Sequence, residues 1–158
     1  MFRELTRKKQ SISDKECAEI LKNEPRGVLS VLGDGGYPYG MPMNFYYDEE
    51  SGSIFFHGGK SGHKIDAVRR CDKVSFCVYD SGFRKENEWA LNIKSVIVFG
   101  RISEVTDFQK AMAVSRKLSL KYTSDTEYID REIQGFGNVT LCLELKPEFI
   151  TGKLVNES

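Results

Sequence analysis

The amino-acid sequence predicts an α+β domain that is mainly β. Three observations carry this. Six strand-like runs recur between residues 26 and 153, and glycine-rich turns join several of them. Only two long stretches, 12–23 and 106–122, hold a clear helical stripe. Helices do not alternate with strands, so a doubly wound α/β sheet is not expected. Antiparallel neighbours joined by tight turns favour a small barrel built from a meander. Closure of a barrel also removes exposed edges.

The elements follow in order. A short basic arm, "MFRELTRKKQ", opens the chain. It reads as a solvated tail or as an arm laid across a partner subunit. "SISDKECAEILKN" is a helix: Ser13 and Glu16 have capping-box spacing, and Ile12 can staple onto Cys17. Cys17, Ile20 and Leu21 share one face. "RGVLSVLG" is a strand that runs into the turn "DGGYPYG". "MPMNFYYD", the turn "EESG" and "SIFFHG" continue the meander. "IDAVRR" is a short helix. In "KVSFCVYD", Val74, Phe76 and Val78 alternate with Ser75, Cys77 and Tyr79. A polar loop with the only tryptophan, Trp89, leads to the long strand "IKSVIVFGRISEV", bulged at Gly100.

The second clear helix is "TDFQKAMAVSRKLSLKY", with a capping box at Thr106 and Gln109. Its stripe is Phe108, Ala111, Met112, Ser115 and Leu118. Residues 124–134 add a short helix. "NVTLCLELKPEFITGK" alternates, with Val139, Leu141, Leu143 and Leu145 on one face and Thr140, Cys142 and Glu144 on the other.

The totals set bounds. A length of 158 residues suits one domain, 1–158, and 40% apolar with 29% charged residues suits a packed core. Lys plus Arg equals Asp plus Glu, 23 against 23, which argues against a general nucleic-acid or membrane-surface binder. No apolar run is long enough for a membrane span, and the N-terminus lacks the apolar core of a secretion signal. The expected compartment is the cytosol. Cys17, Cys71, Cys77 and Cys142 form no C-x-x-C pair, and His57 and His63 are the only histidines, so free thiols and no metal site are expected.

One segment departs from ordinary turn chemistry. In "IFFHGGKSGHKIDAVRR", residues 54–70, an apolar strand breaks into glycine and positive charge and then continues as a helix. Walker A fails, because position 54 would have to be glycine and is Ile54. No G-x-G-x-x-G fingerprint is present either. The physics still points to an anion. Gly58, Gly59 and Gly62 let several N–H groups turn inward, and Ser61 adds a hydroxyl. His63 and Lys64 stand at a helix N-terminus, where cations are disfavoured unless an anion binds there. A solvated glycine-rich loop with incidental lysines is the plain alternative.

These residues carry a resemblance. "GVLSVLGDGGYPYGMPMNF", "IFFHGGKSGHKIDAVRRCDKVSFCV", "SVIVFGR" and "ITGK" are similar to the pyridoxamine 5'-phosphate oxidase-related flavoproteins, and within them to the nitroimidazole-resistance branch. The resemblance implies a six-stranded antiparallel split β-barrel of the FMN-binding type with flanking helices. It also implies a homodimer with FMN at the subunit interface. Carried onto this chain, it implies that Met41, Pro42, Met43 and Asn44 line the flavin ring. Phe56 and His57 would lie beside the ribityl chain and phosphate. Ser61, His63 and Lys64 would hold the phosphate, and Ser95 and Val96 would belong to a further contacting strand. The family's pyridoxamine oxidases carry arginine and lysine in the strand that matches "MPMNFY". This chain has neither there, which argues against pyridoxamine phosphate as substrate.

The function so implied is an FMN-dependent oxidoreductase that passes electrons from a donor such as NAD(P)H to a nitroimidazole-like small molecule. No catalytic side chain is identified. The alternatives are a flavin-binding store or sensor without turnover, a haem protein with His57 or His63 as axial ligand, or a deazaflavin protein.

Overall fold

The computed structural model describes residues 1–135 and 140–157. Seven strands form one antiparallel sheet: β1 (Arg26–Leu32), β2 (Pro38–Asn44), β3 (Tyr46–Tyr47), β4 (Ile54–Gly59), β5 (Lys73–Tyr79), β6 (Leu91–Glu104) and β7 (Thr140–Glu157). Their order across the sheet is β2-β1-β5-β6-β7-β4-β3. The sequence pattern predicts six strands. The seventh arises because Phe45, fully buried, leaves the ladder and divides "MPMNFYYD" into β2 and β3.

This order has a geometric consequence. The two edge strands, β2 and β3, are consecutive in the chain with only Phe45 between them. The sheet must therefore curl until its edges meet at that residue. Below the joint β2 and β4 lie side by side without pairing, which leaves a split in a half-barrel. Tyr122 secures the joint. Its hydroxyl accepts the Phe45 N–H at 2.9 Å and directs its one proton toward the Pro25 carbonyl at 2.5 Å.

Phe76 is central to the main core, with Phe45 and Phe56 edge-on at 4.9 and 5.0 Å between ring centroids. Leu29, Val31, Val78, Val96, Val98, Leu143 and Leu145 surround it. Helix α1 (Asp14–Asn23) adds Cys17, Ile20 and Leu21, and helix α2 (His63–Arg70) adds Ile65, Ala67 and Val68. The predicted capping box of α1 is present: the Glu16 N–H donates to Ser13 Oγ at 3.3 Å, and the Ser13 N–H donates to the Glu16 carboxylate at 3.0 Å.

Helix α3 (Phe108–Tyr122) covers the other face of β4 and β7, where Ala111 and Val114 meet Phe55 and Cys142. Two expectations change here. The cap is Asp107, whose carboxylate accepts the Lys110 N–H at 3.0 Å, so the helix starts one residue later than a Thr106 cap would place it. The buried stripe is accordingly Ala111, Val114, Ser115 and Leu118, and Phe108 is exposed. Helix α4 (Thr126–Gln134) packs on α3 and is joined to it by the Arg116–Asp130 ion pair.

On β7, Leu143 and Leu145 face the main core, while Glu144 is buried under α3. It accepts from Ser53 Oγ at 2.9 Å and from Lys110 Nζ at 2.8 Å. Val139 lies outside the described residues. The irregularity expected at Gly100 falls between Phe99 and Gly100 of β6. Any side chain at Gly100 would run into the Lys146 carbonyl. The basic arm lies on its own sheet: Phe2 stacks on Phe149 at 5.1 Å and on Phe99 at 5.8 Å. All four cysteines are free.

Candidate functional site

The split between β2 and β4 is the natural place for a ligand, because its walls are unpaired backbone. Helix α2 opens onto it. Gly62 precedes the helix with φ of +114°, a conformation that favours glycine, and no side chain caps the first turn. The first-turn N–H groups of α2 are thus left for a ligand or for water.

Lys64 fills the split. Its Nζ lies 3.8 Å from Met43 Sδ on β2, and a Cβ built on Gly58 of β4 would come within 2.8 Å of it. Glycine at 58 is therefore what lets the ammonium pass between the strands. Among the described residues no oxygen or nitrogen partners this ammonium. Burial pulls its pKa below the ordinary lysine value. A half-buried cation without an anion is an unfavourable state that a bound anion would relieve.

His57 faces the opposite side of β4 from Gly58. Burial, and secondarily the charge of Lys64, lower its pKa and favour the neutral imidazole. Among the described residues no hydrogen bond reaches its ring. It lines a cleft of about 260 Å³ with Asn44, Ser115, Tyr122, Tyr128 and Glu132. Ser115 Oγ is buried there, and among the described residues its one partner is the Cys142 thiol beside it. Among the described residues no Lys or Arg lines this cleft. A wider groove of about 520 Å³ lies on the outer face of the sheet. Its Arg101 is already held by Asp72 at 2.9 Å and Glu148 at 3.0 Å.

The structure brings together only part of the residue set named from the sequence. Met43 and Lys64 meet in the split, whereas Asn44 and His57 line the cleft on the other side of β4. Met41 is largely buried in the core and Pro42 is exposed on the edge strand. Asn44 Oδ1 accepts from Arg26 Nε at 3.0 Å. The side chains of Phe56 and Val96 are fully buried in the core, so only their main chains remain for a ligand. Ser95 lies on β6, separated from β2 by β1 and β5. Ser61 is exposed on the loop before α2. His63 turns toward the β1–β2 connection, where its Nε2 accepts the Asp34 N–H at 3.1 Å. Sequence reasoning missed Ser115, Tyr122, Tyr128 and Glu132, because no local pattern links α3 and α4 to the cleft at His57.

Comparison with known proteins agrees with this architecture. The family profile described as pyridoxamine 5'-phosphate oxidase matches residues 13–154. No curated protein matches the chain. Among solved structures, one from Bacteroides thetaiotaomicron is described as a candidate 5-nitroimidazole antibiotic resistance protein. It superposes with a TM-score of 0.77 at 18% identity, over 91% of this chain and 85% of that one. A conserved hypothetical protein of Mycobacterium tuberculosis gives 0.80 at 18% identity, over 95% and 89%. A FAD- and haem-binding protein of Mycobacterium smegmatis gives 0.70 at 19% identity, over 92% and 73%. At such identities the likeness concerns the fold. The profile match spans most of the sequence, and the chain accordingly belongs to the pyridoxamine 5'-phosphate oxidase family.

Proposed function

We propose that the chain is an FMN-dependent oxidoreductase, acting as a homodimer with the flavin held between subunits, that reduces nitroimidazole-like compounds. The observation that carries this reading is the Lys64 ammonium in the split, held among the described residues only by Met43 Sδ, beside Gly58 and the uncapped start of α2. These groups fit a phosphomonoester. It brings about −1.5 to −2 charges at neutral pH, and both the ammonium and the helix N-terminus attract it. Met43 supplies an adaptable apolar contact for a ring. The bound flavin would supply the redox chemistry, taking a hydride from a reduced nicotinamide and returning the electron pair to a nitro group.

The cleft at His57 suits the second substrate. Its neutral imidazole and the Ser115 hydroxyl offer uncharged donors and acceptors, and Glu132 is the lining carboxylate. That combination favours an uncharged heteroaromatic and disfavours a phosphorylated one. The relative from Bacteroides thetaiotaomicron agrees with that choice.

Lys64→Ala is expected to weaken FMN about 10- to 100-fold while leaving riboflavin, which lacks the phosphate, nearly unaffected. Fluorescence titration with both flavins measures this, and equal losses would remove Lys64 from the phosphate site. For activity, anaerobic NADH or NADPH should bleach the bound flavin, and a nitroimidazole should restore its colour. Failure of both half-reactions would leave a flavin carrier without turnover. A haem reading has one observation in its favour, the unpartnered neutral ring of His57. A Soret band in the purified protein would establish it.

A further inference from the structure

We propose that His63 is a positioning residue: it clamps the β1–β2 turn onto the start of α2 and does not hold the phosphate. The clamp is observed directly. His63 Nε2 accepts the Asp34 N–H at 3.1 Å, so this nitrogen is engaged as an acceptor by the turn. The ring stacks on Tyr39 with 4.2 Å between centroids and 14° between planes. The backbone passes so close that a Cβ on Gly33 would come within 3.2 Å of Nε2 and 2.9 Å of Tyr39 Cβ. A side chain at Gly33 would force ring and turn apart.

Asp34 also binds the other end of the helix. Its carboxylate accepts from Arg70 Nη2 at 2.8 Å and lies 3.7 Å from His63 Nε2. One turn residue is thus fastened by the first and the last residue of α2. The turn leads directly into β2, whose Met43 meets Lys64. His63 therefore sets how β2 sits relative to α2, and those two elements form the walls of the split. A ring whose Nε2 is taken up by the Asp34 N–H does not offer that nitrogen to an anion. This separates His63 from Lys64, although the two are adjacent in sequence.

The consequence for flavin rests on the function proposed above, and the test separates the two. His63→Phe keeps a stacking ring and removes the acceptor, whereas His63→Gln keeps an acceptor and removes the ring. Hydrogen exchange at the Asp34 amide reports the clamp. Exchange is expected to quicken at least about tenfold in His63→Phe and to stay within about threefold in His63→Gln. Both FMN and riboflavin should weaken by the same factor in His63→Phe, about three- to tenfold, so that their ratio is preserved. Lys64→Ala, by contrast, should collapse that ratio. Unchanged Asp34 exchange in His63→Phe, or a fall in the FMN-to-riboflavin preference in either His63 variant, would overturn the proposal. If the native protein binds neither flavin, the flavin reading fails and Asp34 exchange alone decides the clamp.

Discussion

At the scale of single residues, two half-buried lysines show how context divides one chemistry into two roles. Lys64 lies in the split, its Nζ beside Met43 Sδ and Gly58. Lys121 instead lies with its Nζ 3.7 Å from the centre of the Phe45 ring, and among the described residues it has no hydrogen-bond partner. Burial pulls its pKa from 10.5 down to about 8, with Glu24 offsetting part of the effect. The folded state thus binds fewer protons than the unfolded chain between about pH 8 and 10.5. The cost of burying the ammonium is in force below pH 8 and is relieved as pH rises through that window. Lys121→Met is therefore expected to stabilise the protein at pH 7 and to flatten its stability profile between pH 8 and 10 (denaturant unfolding across that range checks both). Lys64 was legible in the sequence because its glycines and its charge are neighbours in the chain. The cleft at His57 was not, since Ser115 and Glu132 reach it from helices far along the chain. Nor did spacing alone reveal that His63 and Lys64 face different partners.

At the scale of elements, the two helix starts show what spacing does and does not determine. At Ser13 the serine and the glutamate three residues on act reciprocally, and this box prevails over the neighbouring Asp14. At 106 and 107 two cap-forming residues stand side by side, and a box pattern counted from Thr106 cannot choose between them. Asp107 is the cap, which suits a charged acceptor at the positive end of the helix. Asp107→Ala is expected to cost about 1 kcal/mol in unfolding free energy, and Thr106→Ala less than about 0.5. The reverse ranking in chemical denaturation would return the cap to Thr106. The seventh strand has a related cause. "MPMNFYYD" reads as one run, and only the burial of Phe45 and the hydroxyl of Tyr122, 77 positions away, divide it.

At the scale of the whole molecule, the sheet order explains why the site lies where it does. Periodicity was enough to predict the meander and the barrel, because each strand records which of its faces is apolar. Which edges meet is a property of the closed sheet, and no single strand carries it. The joint at Phe45 settles that question and is held by a single phenol. Tyr122→Phe leaves the Phe45 N–H without its acceptor, and it is expected to lower stability by about 1–3 kcal/mol in thermal or denaturant unfolding. The same change should also quicken flavin entry in stopped-flow mixing. Two jaws that share a one-residue spring can part only by turning about it, so the phenol that grips the spring from α3 also governs how readily the mouth yields to a guest.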